Sequence, residues 1–114
     1  MVAEWYEGLG AKDKASVLVK LEYLIAQPRE NWIRPRFDLL HGTASGLGEI
    51  ILKKVGMVQT RLIGYFDGAR SVFTIVLIVT KKGKQFNPKE WEAVAQDRKK
   101  DIQTNPEKAN DWNP

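Results

Sequence analysis

Apolar residues recur along this chain with two different periods. Val2, Trp5, Tyr6 and Leu9 stand at i, i+3, i+4 and i+7, the spacing of one helix face. Gly8 and Gly10 keep this first piece short. Val17, Leu18, Leu21, Leu24 and Ile25 predict a longer amphipathic helix over about 11–27, which Pro28 stops. A third helical piece is expected around 35–40, with Pro35 in its first turn and Gly42 at its end. "HGTASGLGE" reads as a loop from its glycines and serine. Beyond it the period changes. "EIILKK", "VQTRLIGYF" and "SVFTIVLIVT" are rich in β-branched and aromatic residues and predict three consecutive antiparallel strands. Val55-Gly56-Met57 joins the first two. "DGAR" joins the last two, and its Asp67-Gly68 pair is a hairpin signal. The third strand is apolar on both faces from Val72 to Val79, which predicts a central strand covered on both sides. Asn87 as cap, Pro88 and Glu90 then predict a helix start. Trp91, Val94, Ala95, Arg98 and Ile102 form its inner stripe, and it should end near Thr104, before Pro106.

These elements predict an α+β domain over residues 1–103. N-terminal helices pack on one face of a small antiparallel sheet, a three-stranded meander, and a C-terminal helix follows. The other face of the sheet is then left to solvent or to function. Residues 104–114 have no core pattern and are expected to form a flexible tail, in which Trp112 has no assigned role.

Composition narrows the chemistry. A chain of 114 residues with 43% hydrophobic content suits one core rather than two. It contains no cysteine, so disulfide and thiolate chemistry are excluded. A single histidine, His41, rules out a His-rich metal site, and no cofactor is expected. No apolar run approaches the roughly 20 residues that span a bilayer, and "MVAEWYEGLG" lacks the basic start of a secretory signal. A cytoplasmic protein is expected. The charge is uneven. Residues 1–48 hold six bases and six acids, 49–86 hold seven bases and two acids, and 87–114 hold five bases and six acids. The excess positive charge therefore lies in the middle third, where it either serves solubility or attracts a polyanion.

Strand alternation suggests where that charge meets other chemistry. Gln59, Arg61, Ile63 and Tyr65 point one way, while Leu62 and Phe66 point to the helix-covered core. Glu49, Ile51 and Lys53 share a face of the preceding strand, and Lys81, Lys82 and Lys84 stand at the end of the third. Lys53, Arg61, Tyr65 and Lys81 are thus expected around one cationic groove. Such a groove suits RNA: arginine grips phosphate and tyrosine stacks a splayed base. RNA can be cut there by its own 2′-OH, with the protein taking a proton and stabilising phosphoryl charge. The alternative is a structural Arg61 to Glu49 cross-strand pair, with Tyr65 as packing, and the frequency of such pairs favours it. His41 is a second candidate base, or simply a cation at a helix end. "GTASGLGE" lacks the Gly-Lys-Ser/Thr ending of a phosphate loop.

Residues 37–103 also resemble a known family. Leu40 and Gly42, Glu49-Ile50, Arg61-Leu62 followed by Tyr65 or Phe66, the Lys81-Lys82 pair, and Pro88 through Ala95 match in order and spacing the phage-derived HigB-like branch of the RelE/ParE toxin superfamily. The resemblance implies the toxin of a type II toxin–antitoxin pair, a metal-independent, ribosome-associated mRNA endonuclease. It implies as partners mRNA, the ribosome and a cognate antitoxin, often one with a helix-turn-helix domain, so that DNA is met only through the antitoxin. Carried over, Arg61 corresponds to the arginine that contacts the scissile phosphate. Lys81 or Lys82 corresponds to the basic residue ending the central strand, and Lys53 and Lys54 to bases of the preceding strand. The implied catalytic set is Arg61, Lys53, Lys81 and Tyr65, with Lys54, Lys82 and Lys84 binding RNA. The family arginine two residues after the glutamate is Ile51 here, and Lys53 is expected to replace it on the same face. A ParE-like topoisomerase inhibitor, or an inactive binding module, would share the fold without the catalysis.

Overall fold

The computed structural model describes residues 2–68, 72–109 and 112. Two helices lead, α1 (Val2–Glu7) and α2 (Ala11–Ala26). Five strands follow: β1 (Phe37–Leu39), β2 (Gly48–Val55), β3 (Val58–Phe66), β4 (Phe73–Lys82) and β5 (Gln85–Asn87). Helix α3 (Trp91–Thr104) comes next. The strands form one antiparallel sheet in the order β1-β2-β3-β4-β5.

The α+β class and the three expected strands agree with the sequence reading, but the sheet has two further strands. Residues 37–39 are extended, not helical. Their register, Phe37 opposite Ile50 and Leu39 opposite Gly48, supplies the edge of β2 with partners and buries Phe37 completely. Local propensity gives way here to a paired edge. At the other end, Gly83 adopts φ +62°, a conformation open to glycine at little cost. The chain turns back there and forms β5. Asn87 therefore closes a strand instead of capping a helix, and α3 starts at Trp91. With five strands, β3 becomes the geometric centre of the sheet. The β4 strand is covered on both faces, as its apolar run requires.

The larger correction concerns the faces. On one side, Val17, Leu21 and Leu24 of α2 and Tyr6 of α1 pack on Ile50, Leu52 and Leu62. Trp32, Phe37, Phe66 and Phe73 extend this core as an aromatic cluster, with ring centroids 5.0–5.8 Å apart. Leu62 and Ile63 point in opposite directions. Ile63 joins Tyr65, Leu47, Leu77, Val79 and Ala95 in a second core beneath α3. The sheet is thus sandwiched between α1/α2 and α3, and the face expected to be open is covered. Ile25 lies outside the α2 stripe, exposed to solvent.

Two bulges break the alternation. Ile51 faces Arg61 and Lys53 faces Thr60, so Leu52 is an extra residue in β2. Ile63 faces Leu77 and Gly64 faces Ile75, which makes Val76 the extra residue in β4. At Gly64 a Cβ would run into the Thr74 carbonyl and the Phe73 ring, so only glycine allows β3 and β4 to approach this closely. Ala69 and Arg70 of the predicted turn lie outside the described residues. So do positions 110, 111, 113 and 114 of the expected tail. Its Pro106–Lys108 segment forms a 3-10 turn, and the Trp112 ring meets Tyr6 edge-on at 5.6 Å. Among the described residues, no helix is long and apolar enough to cross a membrane.

Candidate nucleic-acid interface

Register decides which of the candidate side chains meet. Lys54 pairs with Gln59, Gln59 with Lys81, and Lys81 with Phe86. These four residues form one row across β2, β3, β4 and β5, on the α3 side of the sheet. Adjacent strands lie about 4.8 Å apart, so Lys54 and Lys81 flank Gln59 at roughly 10 Å from each other. Arg61 stands one pleat inward, opposite Ile51 and Val79. The Phe86 ring links the two levels: the Lys81 ammonium is 5.7 Å and the Arg61 guanidinium carbon 5.8 Å from its centroid. Trp91, the first residue of α3, stacks at a tilt against Phe86 at 5.0 Å. Both rings are half-buried.

Arg61 itself is committed elsewhere. It is 7% exposed and Glu49 is 2% exposed, and Arg61 Nη1 donates to Glu49 Oε1. The cross-strand pair is therefore the arrangement adopted. Glu49 faces Ile63 and Arg61 faces Ile51, so the ion pair runs diagonally beneath the cover of α3 and the loop before β2. That loop is tied to α3. Gln96 Nε2 donates to the carbonyls of Thr43 and Ser45 at 3.2 and 2.9 Å, and Thr43 Oγ1 donates to Glu92. Arg61 Nε is buried without a hydrogen-bond partner among the described residues.

Tyr65 does not reach the groove. It pairs with Thr74 at the far end of β3. Six residues separate it from Gln59, about 20 Å of strand. Tyr65 is 7% exposed and lies under α3, with Lys99 Nζ 5.6 Å from its ring. Burial of the second face explains the failed expectation for both Arg61 and Tyr65. They are polar residues on a core face: Arg61 is paired through Nη1 with Glu49, and the Tyr65 ring packs under α3 near Lys99.

Lys53 is also displaced. The extra residue at Leu52 reverses the alternation, so Lys53 shares the α2 side with Leu52 and Val55, and Lys54 takes the α3 side. Lys53 adopts φ +59° to do so. Nearby, Lys20 Nζ reaches from α2 to donate to the bulged Leu52 carbonyl at 2.5 Å. Partial burial, and then the neighbouring Lys53 charge, lower the pKa of Lys20 below its ordinary value of 10.5. Lys82 falls on the α2 side by alternation, and Lys84 sits in the β4–β5 turn, both exposed. His41 is exposed and flanks the N-terminal end of the 3-10 turn Gly42–Ala44 without a side-chain cap bond, not the helix C-terminus where a cation would be favoured.

The structure thus brings Lys54, Lys81 and Arg61 together, sends Lys53 and Lys82 to the opposite face, and leaves Tyr65 remote. Gln59, expected on the Arg61 face, lies in the row; Phe86 at its end and Trp91 against it, the latter expected only on the inner stripe of the last helix, were not foreseen at the site. Their signal was Gly83 between two lysines, after a strand and before "QFN", which marks a hairpin return. Among the described residues, none of Lys53, Lys54, Lys81, Lys82 and Lys84 is held in a salt bridge. Their field is therefore not cancelled locally and is available to an anionic ligand. Comparison with protein-family models, with curated proteins and with solved structures finds no match for this chain.

Proposed function

We propose that this protein is an RNA-directed toxin of the RelE-like kind, neutralised by a cognate antitoxin and acting on mRNA at the ribosome. The single observation that supports this most is the row Lys54, Gln59, Lys81 and Phe86. Two ammonium groups, free of salt bridges among the described residues, straddle an amide side chain at one end of the sheet. That spacing lets two phosphates of a single strand be gripped at once, with the Gln59 amide offering a donor and an acceptor between them.

In the cutting reaction, the RNA supplies its own nucleophile. The 2′-oxygen attacks the adjacent phosphorus and gives up its proton to a base. The bond from phosphorus to the 5′-oxygen breaks, and that oxygen is protonated as it leaves. Products are a 2′,3′-cyclic phosphate and a 5′-hydroxyl. Lys54 and Lys81 supply positive charge to the phosphoryl oxygens as they gain charge.

One observation favours a second reading. Arg61 is turned away from solvent and paired to Glu49, and Tyr65 is remote. A ParE-like inhibitor or a binding module would need neither at a scissile phosphate. The test is induced expression of the wild type and of a Lys54→Ala/Lys81→Ala double variant, with growth followed and mRNA 5′ ends mapped. Growth arrest with new cleavage sites in translated frames, lost in the double variant, supports the endonuclease. Arrest with intact mRNA supports the inhibitor.

A further inference from the structure

We infer that Phe86 and Trp91 form a stacking subsite for one unpaired nucleobase, so that the ligand is read as a single strand at the row of lysines. The inference rests on the RNA-binding reading and adds to it a nucleotide-specific element.

The geometry favours a base over another apolar partner. Phe86 lies on the short edge strand β5, and Trp91 opens α3 beyond the connection at Pro88. Their centroids are 5.0 Å apart with planes inclined by 57°, so the pair forms an open angle instead of a closed stack. Neither ring is fully buried. Phe86 is braced by two cations, Lys81 at 5.7 Å and Arg61 at 5.8 Å. Both rings also pack against the core beneath α3, and their tilt is that of the Trp32–Phe66 and Trp32–Phe73 pairs; their place beside the lysines is what sets them apart. Trp32, Phe37, Phe66 and Phe73 meet one another across the α2 side, away from the lysine row.

Charge selects the occupant. Lys54, Lys81, Lys84 and Lys89 lie in the row, in its terminal turn or just before α3. An apolar peptide would gain nothing from them. A nucleotide uses both features: its phosphate lies along the lysines and its base covers the ring. Stacking of this kind tolerates any base, because every base has a π face. A duplex keeps its bases stacked on each other and does not offer one to the ring. The subsite therefore selects single strands without selecting sequence.

The probe is a twelve-nucleotide single-stranded RNA carrying one 2-aminopurine, whose fluorescence falls when it stacks. Inorganic polyphosphate, which has charge and no bases, serves as the comparison. The wild type is expected to bind both, and to quench 2-aminopurine. Phe86→Leu is expected to weaken RNA binding at least about fivefold, the lower end of what one stacked base contributes, to abolish the quenching and to leave polyphosphate affinity unchanged. Phe86→Tyr keeps the ring and is expected to restore both RNA affinity and quenching, which separates stacking from a packing defect. RNA binding with no quenching, or binding equally strong in folded Phe86→Leu, overturns the stacking subsite and leaves the RNA-binding reading intact. Failure of the wild type to bind RNA or polyphosphate overturns both.

Discussion

At the residue scale, the Glu49 and Arg61 pair organises the α3 side of the sheet. Two opposite charges there have been taken almost wholly from water. Desolvation of each costs several kcal/mol, and their attraction offsets it only while both are present. Glu49→Ala should therefore destabilise the fold by about 3–5 kcal/mol, since Arg61 is left buried without its counter-charge. The double variant Glu49→Leu/Arg61→Met should recover most of that loss, because it removes both desolvation penalties and keeps apolar volume. Urea denaturation of Glu49→Ala and of the double variant checks this. A Glu49→Ala protein as stable as the wild type would mean that the pair carries no such weight. The same reasoning affects functional tests. Loss of activity in Arg61→Ala would mix catalysis with folding, whereas Lys54 and Lys81 are at the surface end of their strands.

At the element scale, the hairpins set the register that assembles the lysine row. Gly56 and Met57 have φ of +59° and +70°, so the two-residue connection of β2 to β3 is left-handed at both positions, as in type I′ turns. Glycine adopts this at little cost, but methionine does not, and Met57 is 83% exposed. A left-handed non-glycine residue costs roughly 1–2 kcal/mol, and glycine loses about 0.5–1 kcal/mol in backbone entropy. Met57→Gly should thus stabilise the protein by about 0.5–1 kcal/mol, seen as a higher urea midpoint at unchanged slope. A lower midpoint would show that the methionine side chain contributes more than its exposure suggests. The bulge at Leu52 acts on function more directly. Without that extra residue, Lys53 rather than Lys54 would lie in the row beside Gln59.

At the scale of the whole molecule, positive charge gathers at one end of a sheet whose two faces are both covered. The lysines emerge on either side: Lys54 and Lys81 toward α3, Lys53 and Lys82 toward α2. A polyanion bound at the row releases counterions, and each single-strand phosphate contact adds about 0.7 to the slope of log affinity against log salt. Lys54→Ala/Lys81→Ala should therefore reduce that slope by about 1.4 for a single-stranded RNA. Lys53→Ala/Lys82→Ala, on the α2 side, should change it less. Equal reductions in the two double variants would place the bound strand around the sheet end instead of along the row. Fluorescence anisotropy across a salt series makes the measurement.

The sequence by itself determined the α+β class, the long second helix, the three main strands and the end of the last helix near Thr104. Each rests on a local period or a local stop, and such signals need no distant partner. It also determined that the charge excess lies in the middle third of the chain. Tertiary structure decided the rest. Residues 37–39 became a strand because β2 offered an edge. A strand formed at 85–87 because Gly83 turned the chain back onto β4. The final helix, whose inner stripe was legible, chose the face of the sheet that strand alternation alone had left open. That choice buried Arg61 and Tyr65, which share a face with Gln59 in any register. One inserted residue, Leu52, exchanged Lys53 for Lys54 at the row. Alternation along a strand shows which side chains are together, but a bulge resets it, and the partner that covers a face comes from elsewhere in the chain.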